Sequence, residues 1–252
     1  MVRVKKIALM VCLITGWGIA CVKHNGNPVM AATGGGVTSD PAKDSAKGGG
    51  ASPDSLTYLA LGDSYTIGQS VGAGDRYPVQ AVRRLRDDSL YYKTPDIIAV
   101  TGWTTGNLLA AMPATTPNPP YHIVSLLIGV NNQYQHLSQS EYRTQFTELL
   151  QQSIQLAGNL SSHVIVLSIP DYSVTPFARG RDRAFIAAQI DSFNTINREV
   201  SRAYQVAYVD VTEESRRAAD DPSLIAGDSL HFSGKEYNIW AGMMEPLMKA
   251  IH

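Results

Sequence analysis

Residues 56–68 read Leu-Thr-Tyr-Leu-Ala-Leu-Gly-Asp-Ser-Tyr-Thr-Ile-Gly, and this stretch decides the fold. Its first six residues form a short, mostly apolar run that ends at Gly62, which is typical of a strand buried within a sheet. Asp63 and Ser64 follow directly. The stretch therefore predicts a buried strand that delivers a serine to the edge of a sheet.

The same alternation of apolar runs and helical patterns continues to the end of the chain. Further strands are predicted at 97–100, 123–128, 164–167 and 206–211, and helices at 76–86, 105–111, 138–157, 181–204 and from 233 onward. Unbroken apolar strands separated by helices indicate a parallel sheet that is covered on both faces. With right-handed crossovers, this pattern predicts an α/β fold, a three-layer α/β/α sandwich with a five-stranded parallel sheet.

The first twenty residues have the pattern of an export signal. Three basic residues precede an uncharged apolar run at 7–20, which is shorter than the ~20 residues that a membrane-spanning helix needs. The small residues Gly18 and Ala20 come just before Cys21. This order favours a lipoprotein signal, with Cys21 lipidated and the protein anchored to a membrane of a bacterial cell envelope. Ordinary signal cleavage is the alternative, and it would leave a periplasmic or secreted protein with one spare thiol.

Residues 21–54 predict a flexible tether. They are rich in Gly, Ser and Ala, include two triplets of glycine, and show no apolar periodicity from which a core could form. We therefore divide the chain into a signal peptide at 1–20, a tether at 21–54 and one globular domain at 55–252.

Composition excludes several classes of protein. Of the 252 residues, 44% are hydrophobic, which is enough for a core and argues against a wholly disordered chain. With 21 basic and 22 acidic residues, the net charge of -1 gives no reason to expect a nucleic-acid partner. Cys12 and Cys21 both precede the predicted domain, so neither a disulfide framework nor a cysteine metal site is expected there.

Polar motifs follow the predicted strands. Ligands bind at the carboxyl ends of the strands in sheets of this kind. Four segments meet that condition: 62–68 (Gly-Asp-Ser-Tyr-Thr-Ile-Gly), 101–104 (Thr-Gly-Trp-Thr), 129–132 (Gly-Val-Asn-Asn) and 228–231 (Asp-Ser-Leu-His). We expect these segments to form one site.

The chemistry of these segments suits nucleophilic catalysis. A serine hydroxyl such as that of Ser64 needs a neighbouring base. His231 is the candidate, because the carboxylate of Asp228 lies three residues before it on the same connecting loop. That carboxylate can orient the ring and stabilise its protonated form. Acyl transfer also needs donors for a developing oxyanion. The backbone N–H groups of Ser64 and Gly102 and the side-chain amide of Asn131 are the candidates.

In their order and spacing, these four motifs resemble the SGNH (GDSL) hydrolase family, in particular its bacterial esterase and lysophospholipase branch. The similarity extends over residues 56–252. It implies a flavodoxin-like α/β/α fold, an acyl-ester substrate and neither a metal nor an organic cofactor. It also implies that Ser64 is the nucleophile, His231 the general base and Asp228 its orienting acid, with an oxyanion hole formed by Ser64, Gly102 and Asn131.

The sequence departs from the usual family pattern at three positions. Asn132 stands where the family often has Asp, Ser229 where it often has Gly, and Phe232 where it often has Pro. None of these changes removes a group with a predicted role. Phe232 is instead a candidate wall of the acyl pocket, together with Trp103 beside the second motif and Tyr172 in the loop after the fourth strand. That loop is expected either to line the pocket or to form a rigid surface segment.

Two further features leave alternatives open. Arg179, Arg181 and Arg183 either attract an anionic ester or belong to a solvated helix start.

The function predicted is a serine esterase that works through an acyl-enzyme. The alternatives are an acyltransferase that uses a sugar or alcohol acceptor, and a tethered binding protein of the same fold that has no catalytic function.

Overall fold

The structure is a computed structural model that describes residues 55–87, 89–115 and 119–251. It begins with the predicted globular domain. The predicted signal peptide, the tether and the lipidation site at Cys21 lie outside the described residues, so these remain predictions from the sequence.

Five parallel strands form one sheet. They are β1 (Tyr58–Gly62), β2 (Asp96–Ala99), β3 (Ile123–Leu127), β4 (Val164–Leu167) and β5 (Ala207–Val209). Their order is β2-β1-β3-β4-β5, and every neighbouring pair is parallel. In the register of the central pair, Tyr58 lies opposite Ile123 and Gly62 opposite Leu127. This is the doubly wound order of flavodoxin-like sheets, which places the first motif on a central strand.

Eight α-helices and six short 3₁₀ helices accompany the described strands. The α-helices are α1 (Ser64–Ile67), α2 (Tyr77–Asp87), α3 (Thr105–Thr115), α4 (Val130–Tyr134), α5 (Gln139–Leu156), α6 (Arg183–Ala203), α7 (Thr212–Arg216) and α8 (Gly234–Lys249). The 3₁₀ helices are Ala73–Asp75, Ser161–His163, Tyr172–Val174, Pro176–Ala178, Arg217–Ala219 and Pro222–Leu224. Three of the α-helices, α1, α4 and α7, are not among the predicted elements, and α3 extends beyond its predicted end.

The sheet forms the centre of the core. Every residue of β1, β3 and β4 is buried. Because successive side chains of a strand point to opposite faces, burial of all of them requires cover on both sides. The helices α2 and α8 pack against each other and cover one face of the sheet. Helices α3, α5 and α6 pack side by side and cover the other face. The predicted α/β/α fold with a five-stranded parallel sheet is confirmed.

Helix caps are satisfied by side chains that the sequence places at the starts of the long helices. Ser138 caps α5 by accepting from the N–H of Glu141, Asp182 caps α6, and Ser233 caps α8. Caps of this type satisfy N–H groups that have no partner within the helix. Within the part of the chain described, no helix is both long enough and apolar enough to cross a membrane.

Candidate active site

Ser64 is presented by a tight turn between β1 and α1. The turn depends on Gly62, because a Cβ there would lie 2.1 Å from Oγ1 of Thr66 and 2.4 Å from the carbonyl oxygen of Leu127. Ser64 is the first residue of α1 and follows the capping residue Asp63. Only 5% of Ser64 is exposed. The strand and the cap therefore fix this serine at the carboxyl edge of the sheet.

Asp63 is a structural brace within the same motif. It is fully buried, and its Oδ1 accepts from the backbone N–H of Tyr65 at 3.0 Å. Its Oδ2 has no hydrogen-bond partner. Burial raises the pKa of Asp63 to about 7, against the opposing effect of the Tyr65 hydrogen bond. Asp63 thus holds the first turn of α1, while Ser64 carries the reactive group.

The second and third motifs lie next to each other at this edge. Gly102 has φ +88°, and no atom lies within 4 Å of where its Cβ would be, so its backbone is open to a ligand. Asn131, in α4, donates from Nδ2 to the carbonyl oxygen of Trp103 at 2.9 Å. This bond uses one hydrogen of the amide and leaves the second for another acceptor. This hydrogen bond therefore joins Asn131 to the residue that follows Gly102.

His231 and Asp228 form a close pair on the loop before α8. Nδ1 of His231 lies 2.6 Å from Oδ2 of Asp228. An ionised carboxylate only accepts hydrogen bonds, so the proton of this pair belongs on Nδ1, and Nε2 carries the free lone pair. His231 is 7% exposed, and its ring meets the edge of Tyr65 at a centroid distance of 5.6 Å.

Asp228 accepts hydrogen bonds at both carboxylate oxygens. Oδ1 accepts from the backbone N–H groups of Leu230 at 3.0 Å and His231 at 2.9 Å. Oδ2 accepts from the Ser70 hydroxyl at 2.6 Å in addition to the histidine ring. Partial burial opposes ionisation, but these donors outweigh it and hold the pKa of Asp228 well below its usual range. Asp228 is therefore a stable anion beside the histidine.

Sequence reasoning missed Ser70. It lies just after α1 and has φ +66°. Its neighbour Gln69 accepts from the Thr101 hydroxyl at 2.7 Å, at the start of the second motif. The segment 69–70 therefore ties the nucleophile helix to two other motifs. No spacing rule predicts this, because the Ser70 and Asp228 positions are 158 residues apart.

One cleft brings the motifs together. Its volume is about 190 Å³, and it is lined by Ser64, Tyr65, Thr101, Gly102, Val130, Asn131, Tyr134, Tyr172, Phe177, Leu230 and His231. The predicted nucleophile, base and oxyanion donors all contribute to its surface. Residues of all four strand-end motifs thus meet at one cleft.

The three candidate pocket residues have different environments. Tyr172 lines the cleft. Trp103 is partly buried against the core, is not among the lining residues, and contributes its carbonyl oxygen to Asn131. The expectation for Phe232 needs correction: it is fully buried and packs on Tyr65 and Trp240, at centroid distances of 5.9 and 5.6 Å. Its backbone forms an antiparallel bridge with Ile225, and its side chain lies in the core rather than in the cleft.

The loop after β4 both lines the cleft and is firmly held. Its Tyr172 hydroxyl donates to Oε1 of Gln133 at 3.0 Å, and the N–H of Phe177 donates to the carbonyl oxygen of Ser229 at 3.0 Å. At its base, Arg216 pairs with the buried Asp171 at 2.9 Å. The loop therefore contributes to the cleft wall, and most of its residues are buried rather than at the surface.

Two departures from the family pattern have clear structural environments. Asn132 is buried, accepts from the N–H of Thr105 at 3.0 Å and donates to the hydroxyl of Thr105 at 2.7 Å, so it fixes the start of α3. Ser229 has φ +66°, a left-handed conformation that favours glycine. The loop thus keeps a glycine-type backbone although a serine occupies the position.

Among the described residues, no group of three or more His, Cys, Asp or Glu side chains is placed to hold a metal ion. The polar groups that face the cleft are hydroxyl, amide and imidazole. These groups can donate and accept hydrogen bonds toward a bound molecule.

Comparison with solved structures places the fold among known lipases and esterases. A lipase/acylhydrolase from Enterococcus faecalis has a TM-score of 0.60 at 19% identity, covering 77% of this chain and 96% of that chain. Axe2, an acetylxylan esterase from Geobacillus stearothermophilus, has a TM-score of 0.60 at 18% identity, covering 77% and 94%. The esterase EstA from Pseudoalteromonas sp. has a TM-score of 0.57 at 16% identity, covering 77% and 97%. At these identities, the similarity shows the shared fold.

Comparison with curated protein sequences gives no match. The sequence model of the GDSL-like lipase/acylhydrolase family, in contrast, matches residues 60–239. That range begins in β1, includes all four motifs and ends within α8. The chain therefore belongs to the GDSL-like lipase/acylhydrolase family, and its fold is that of the SGNH hydrolases.

Proposed function

We propose that this protein is a serine esterase in which Ser64, His231 and Asp228 act as a catalytic triad. The observation that carries the proposal is the 2.6 Å contact between His231 and Asp228 beside the cleft that also contains Ser64. The contact fixes the tautomer in which Nε2 can accept a proton. Family membership supports the same reaction class.

In the acylation step, Ser64 Oγ attacks the carbonyl carbon of an ester while its proton passes to Nε2 of His231. The carbonyl oxygen becomes an oxyanion. Collapse of this intermediate breaks the bond to the alcohol oxygen, which takes the proton from His231. The products are a free alcohol and an acyl group on Ser64. Asp228 remains ionised and stabilises the protonated ring.

Deacylation repeats the sequence with water. His231 accepts a proton from the water, whose oxygen attacks the acyl-enzyme carbonyl. The second tetrahedral intermediate releases the carboxylic acid and returns the proton to Ser64. In both steps, we assign the oxyanion to the N–H groups of Ser64 and Gly102 and to the second amide hydrogen of Asn131.

Hydrolysis of chromogenic acyl esters tests the proposal. Ser64→Ala and His231→Ala are expected to abolish turnover while circular dichroism shows an intact fold. Normal turnover by correctly folded Ser64→Ala would contradict the serine mechanism. A wild-type protein that binds esters without hydrolysing any of them, and binds equally well after His231→Ala, would instead support the binding-protein alternative.

The size of the cleft favours short acyl groups. Its volume of about 190 Å³ is below the several hundred Å³ typical of sites that enclose large ligands. The aromatic side chains of Tyr134, Tyr172 and Phe177 form part of its wall. We infer that acetyl to butyryl esters are preferred over long-chain esters. A series of 4-nitrophenyl esters from C2 to C12 measures this, and a rise in kcat/KM up to C12 would contradict it.

For location, we propose export and lipidation at Cys21, on the basis of the sequence pattern of residues 1–21. A multiply acylated cysteine would keep the protein at a membrane, since each buried methylene contributes about 0.8 kcal/mol. Metabolic labelling with a fatty acid in a bacterial host is expected to label the full chain but not Cys21→Ala. Unlabelled wild type that is recovered from the soluble fraction would indicate ordinary signal cleavage.

A further inference from the structure

The three arginines at 179, 181 and 183 have different surroundings. Arg183 is structural, since its Nη2 donates to the carbonyl oxygen of Thr175 at 3.0 Å and lies 3.4 Å from that of Val174. Arg181 instead lies over two aromatic rings. Its guanidinium carbon is 4.5 Å from the ring centroid of Phe177 and 5.4 Å from that of Tyr134. The arrangement fixes a flat cation beside these rings.

Both rings belong to the wall of the candidate active site. The charge of Arg181 also reaches a third lining residue, Tyr172. Burial raises the pKa of the Tyr172 hydroxyl, and the nearby Arg181 charge opposes that rise. The guanidinium therefore contacts two lining residues and acts electrostatically on a third, and because its side chain is exposed, we place it at the rim of the cleft.

No carboxylate neutralises Arg181 within the described residues. Its side chain is exposed and forms no ion pair there, in contrast to Arg216, which pairs with three acids. The adjacent Asp182 uses its Oδ1 to cap α6 through the N–H of Phe185 at 2.9 Å. None of the residues that line the cleft is acidic. The rim therefore presents a cation whose five N–H donors are available.

We propose that Arg181 binds an anionic group of the ester substrate, a carboxylate or a phosphate, at the rim of the cleft. A guanidinium can bind both groups through two parallel N–H···O bonds. The rings of Phe177 and Tyr134 hold its plane in place, which reduces the entropy lost on binding. This inference rests on the proposed esterase function, because it gives the substrate class of the same site.

Matched pairs of esters test the proposal. On the acyl side, 4-nitrophenyl butyrate is compared with mono-4-nitrophenyl succinate. On the alcohol side, methyl 4-acetoxybenzoate is compared with 4-acetoxybenzoate and with 4-acetoxyphenyl phosphate, which separates carboxylate from phosphate. The variants are Arg181→Gln and, as a control with the same change in net charge, Arg179→Gln. Neither residue lines the cleft.

Arg181→Gln is expected to lower kcat/KM three- to tenfold for at least one anionic ester, mainly through KM. Its rates with the neutral esters should stay within about twofold of wild type, and added salt should reduce the difference for the anionic ester. Equal effects on neutral and anionic esters, or an equal effect of Arg179→Gln, would overturn the proposal.

Ligand binding to the Ser64→Ala variant distinguishes the proposed anion site from the proposed esterase reaction. Calorimetric titration of this variant with the same anionic esters measures affinity without turnover. If wild type hydrolyses nothing but Ser64→Ala binds an anionic ester in an Arg181-dependent way, the esterase proposal fails and the anion site stands. If neutral esters are hydrolysed and no anion binding depends on Arg181, the anion-site proposal is wrong and the esterase proposal is supported.

Discussion

Asp228 is the residue whose surroundings say most about the proposed reaction. Its side chain is 30% exposed, yet four donors point at its two oxygens. A carboxylate has about four lone-pair sites, so these donors leave it little capacity to take up a proton. Asp228 is thus suited to orient His231 as a permanent anion, and in the proposed reaction the proton would pass only between the histidine and its partners in the cleft.

Asn131 gives a direct test of the oxyanion assignment. Asn131→Ala removes one donor and should lower kcat on the order of 10²–10³-fold, the usual cost of losing one such donor, with little change in KM. Steady-state kinetics with a short-chain chromogenic ester measures both values. A thermal melt serves as the control, since the amide also holds the carbonyl oxygen of Trp103. An unchanged kcat would remove Asn131 from the oxyanion hole.

Ser70 is expected to position the acid of the triad. Ser70→Ala should lower kcat by about tenfold, because a hydrogen bond to a charged group is lost, and should leave KM unchanged, because Ser70 does not line the cleft. With one donor fewer, more of the Asp228 charge acts on His231. The acid limb of the kcat/KM profile should therefore move to higher pH.

The variant Ser70→Asn suits the left-handed backbone at this position and keeps a hydrogen-bond donor, so it should restore part of the rate. A purely structural role for Ser70 would instead lower the melting temperature and leave the pH profile in place. That result would remove Ser70 from the list of positioning residues.

At the scale of single residues, motif spacing predicted the close pair of His231 and Asp228, because two side chains three positions apart on one loop can reach each other. It did not predict Ser70, whose partner Asp228 is brought near only by the folded chain, and it left open whether Arg179, Arg181 and Arg183 attract an anionic ester or begin a solvated helix. Phe232 was placed in the pocket because it follows His231, but the backbone turns it into the core. Local sequence thus predicts local contacts and misses contacts between distant segments.

Among the elements, long apolar runs predicted all five strands within a few residues of their observed bounds. The short helices α1, α4 and α7 were missed because four or five residues are too few to show a 3.6-residue period. Two of them begin at or beside the residues that matter most, Ser64 and Asn131. The catalytic edge is therefore built from elements too short for periodicity to reveal.

The loop before α8 offers a prediction at this scale. Ser229 adopts a left-handed conformation that costs roughly 1–2 kcal/mol for a residue with a Cβ. Ser229→Gly should relieve this strain and, after the entropy cost of glycine, raise the free energy of unfolding by about 0.5–1 kcal/mol. Urea denaturation measures the change.

Ser229→Ala is the matched control, because it removes the hydroxyl but keeps the Cβ, and it should give no gain. Activity should be unaffected by either change, since Ser229 contributes only backbone groups, including the carbonyl oxygen that accepts from Phe177. A gain with Ala equal to that with Gly would show that backbone strain is not the cause.

For the molecule as a whole, the sequence predicted the sheet, its parallel strands and the layered architecture, because these follow from burial and chain connectivity. It could not predict which carboxyl groups the core would bury. Asp63 and Glu236 are both fully buried, and each has one carboxylate oxygen without a hydrogen-bond partner. These two carboxyl groups are buried because α1 and α8 pack onto the sheet, which the sequence alone does not reveal.

These two buried carboxyls predict how stability depends on pH. Burial raises the pKa of Asp63 and of Glu236 to about 7. For Glu236, the Trp240 indole N–H and Arg217 oppose the shift, while Glu214 and Asp221 add to it. Because the folded state holds these protons more tightly than the unfolded chain, their contribution is complete below about pH 4 and is lost as pH rises through 7.

Glu236→Gln should make this pH dependence shallower. The change keeps an acceptor for the indole N–H of Trp240, which lies 2.7 Å from Oε1, and removes the titration. Between pH 4 and pH 8, wild type should lose on the order of 2 kcal/mol more than the variant. Urea denaturation at several pH values gives both curves. Parallel curves would mean that Glu236 titrates normally in the folded state.

The contact between Ser70 and Asp228 joins positions 158 residues apart. In sequence order, the proposed nucleophile and oxyanion donors at 64, 102 and 131 all precede the proposed acid and base, Asp228 and His231. A ribosome that stops before residue 228 would release a protein with a nucleophile and no means of activating it. Under the proposed mechanism, such a shortened chain would not hydrolyse esters, however well its first half folds.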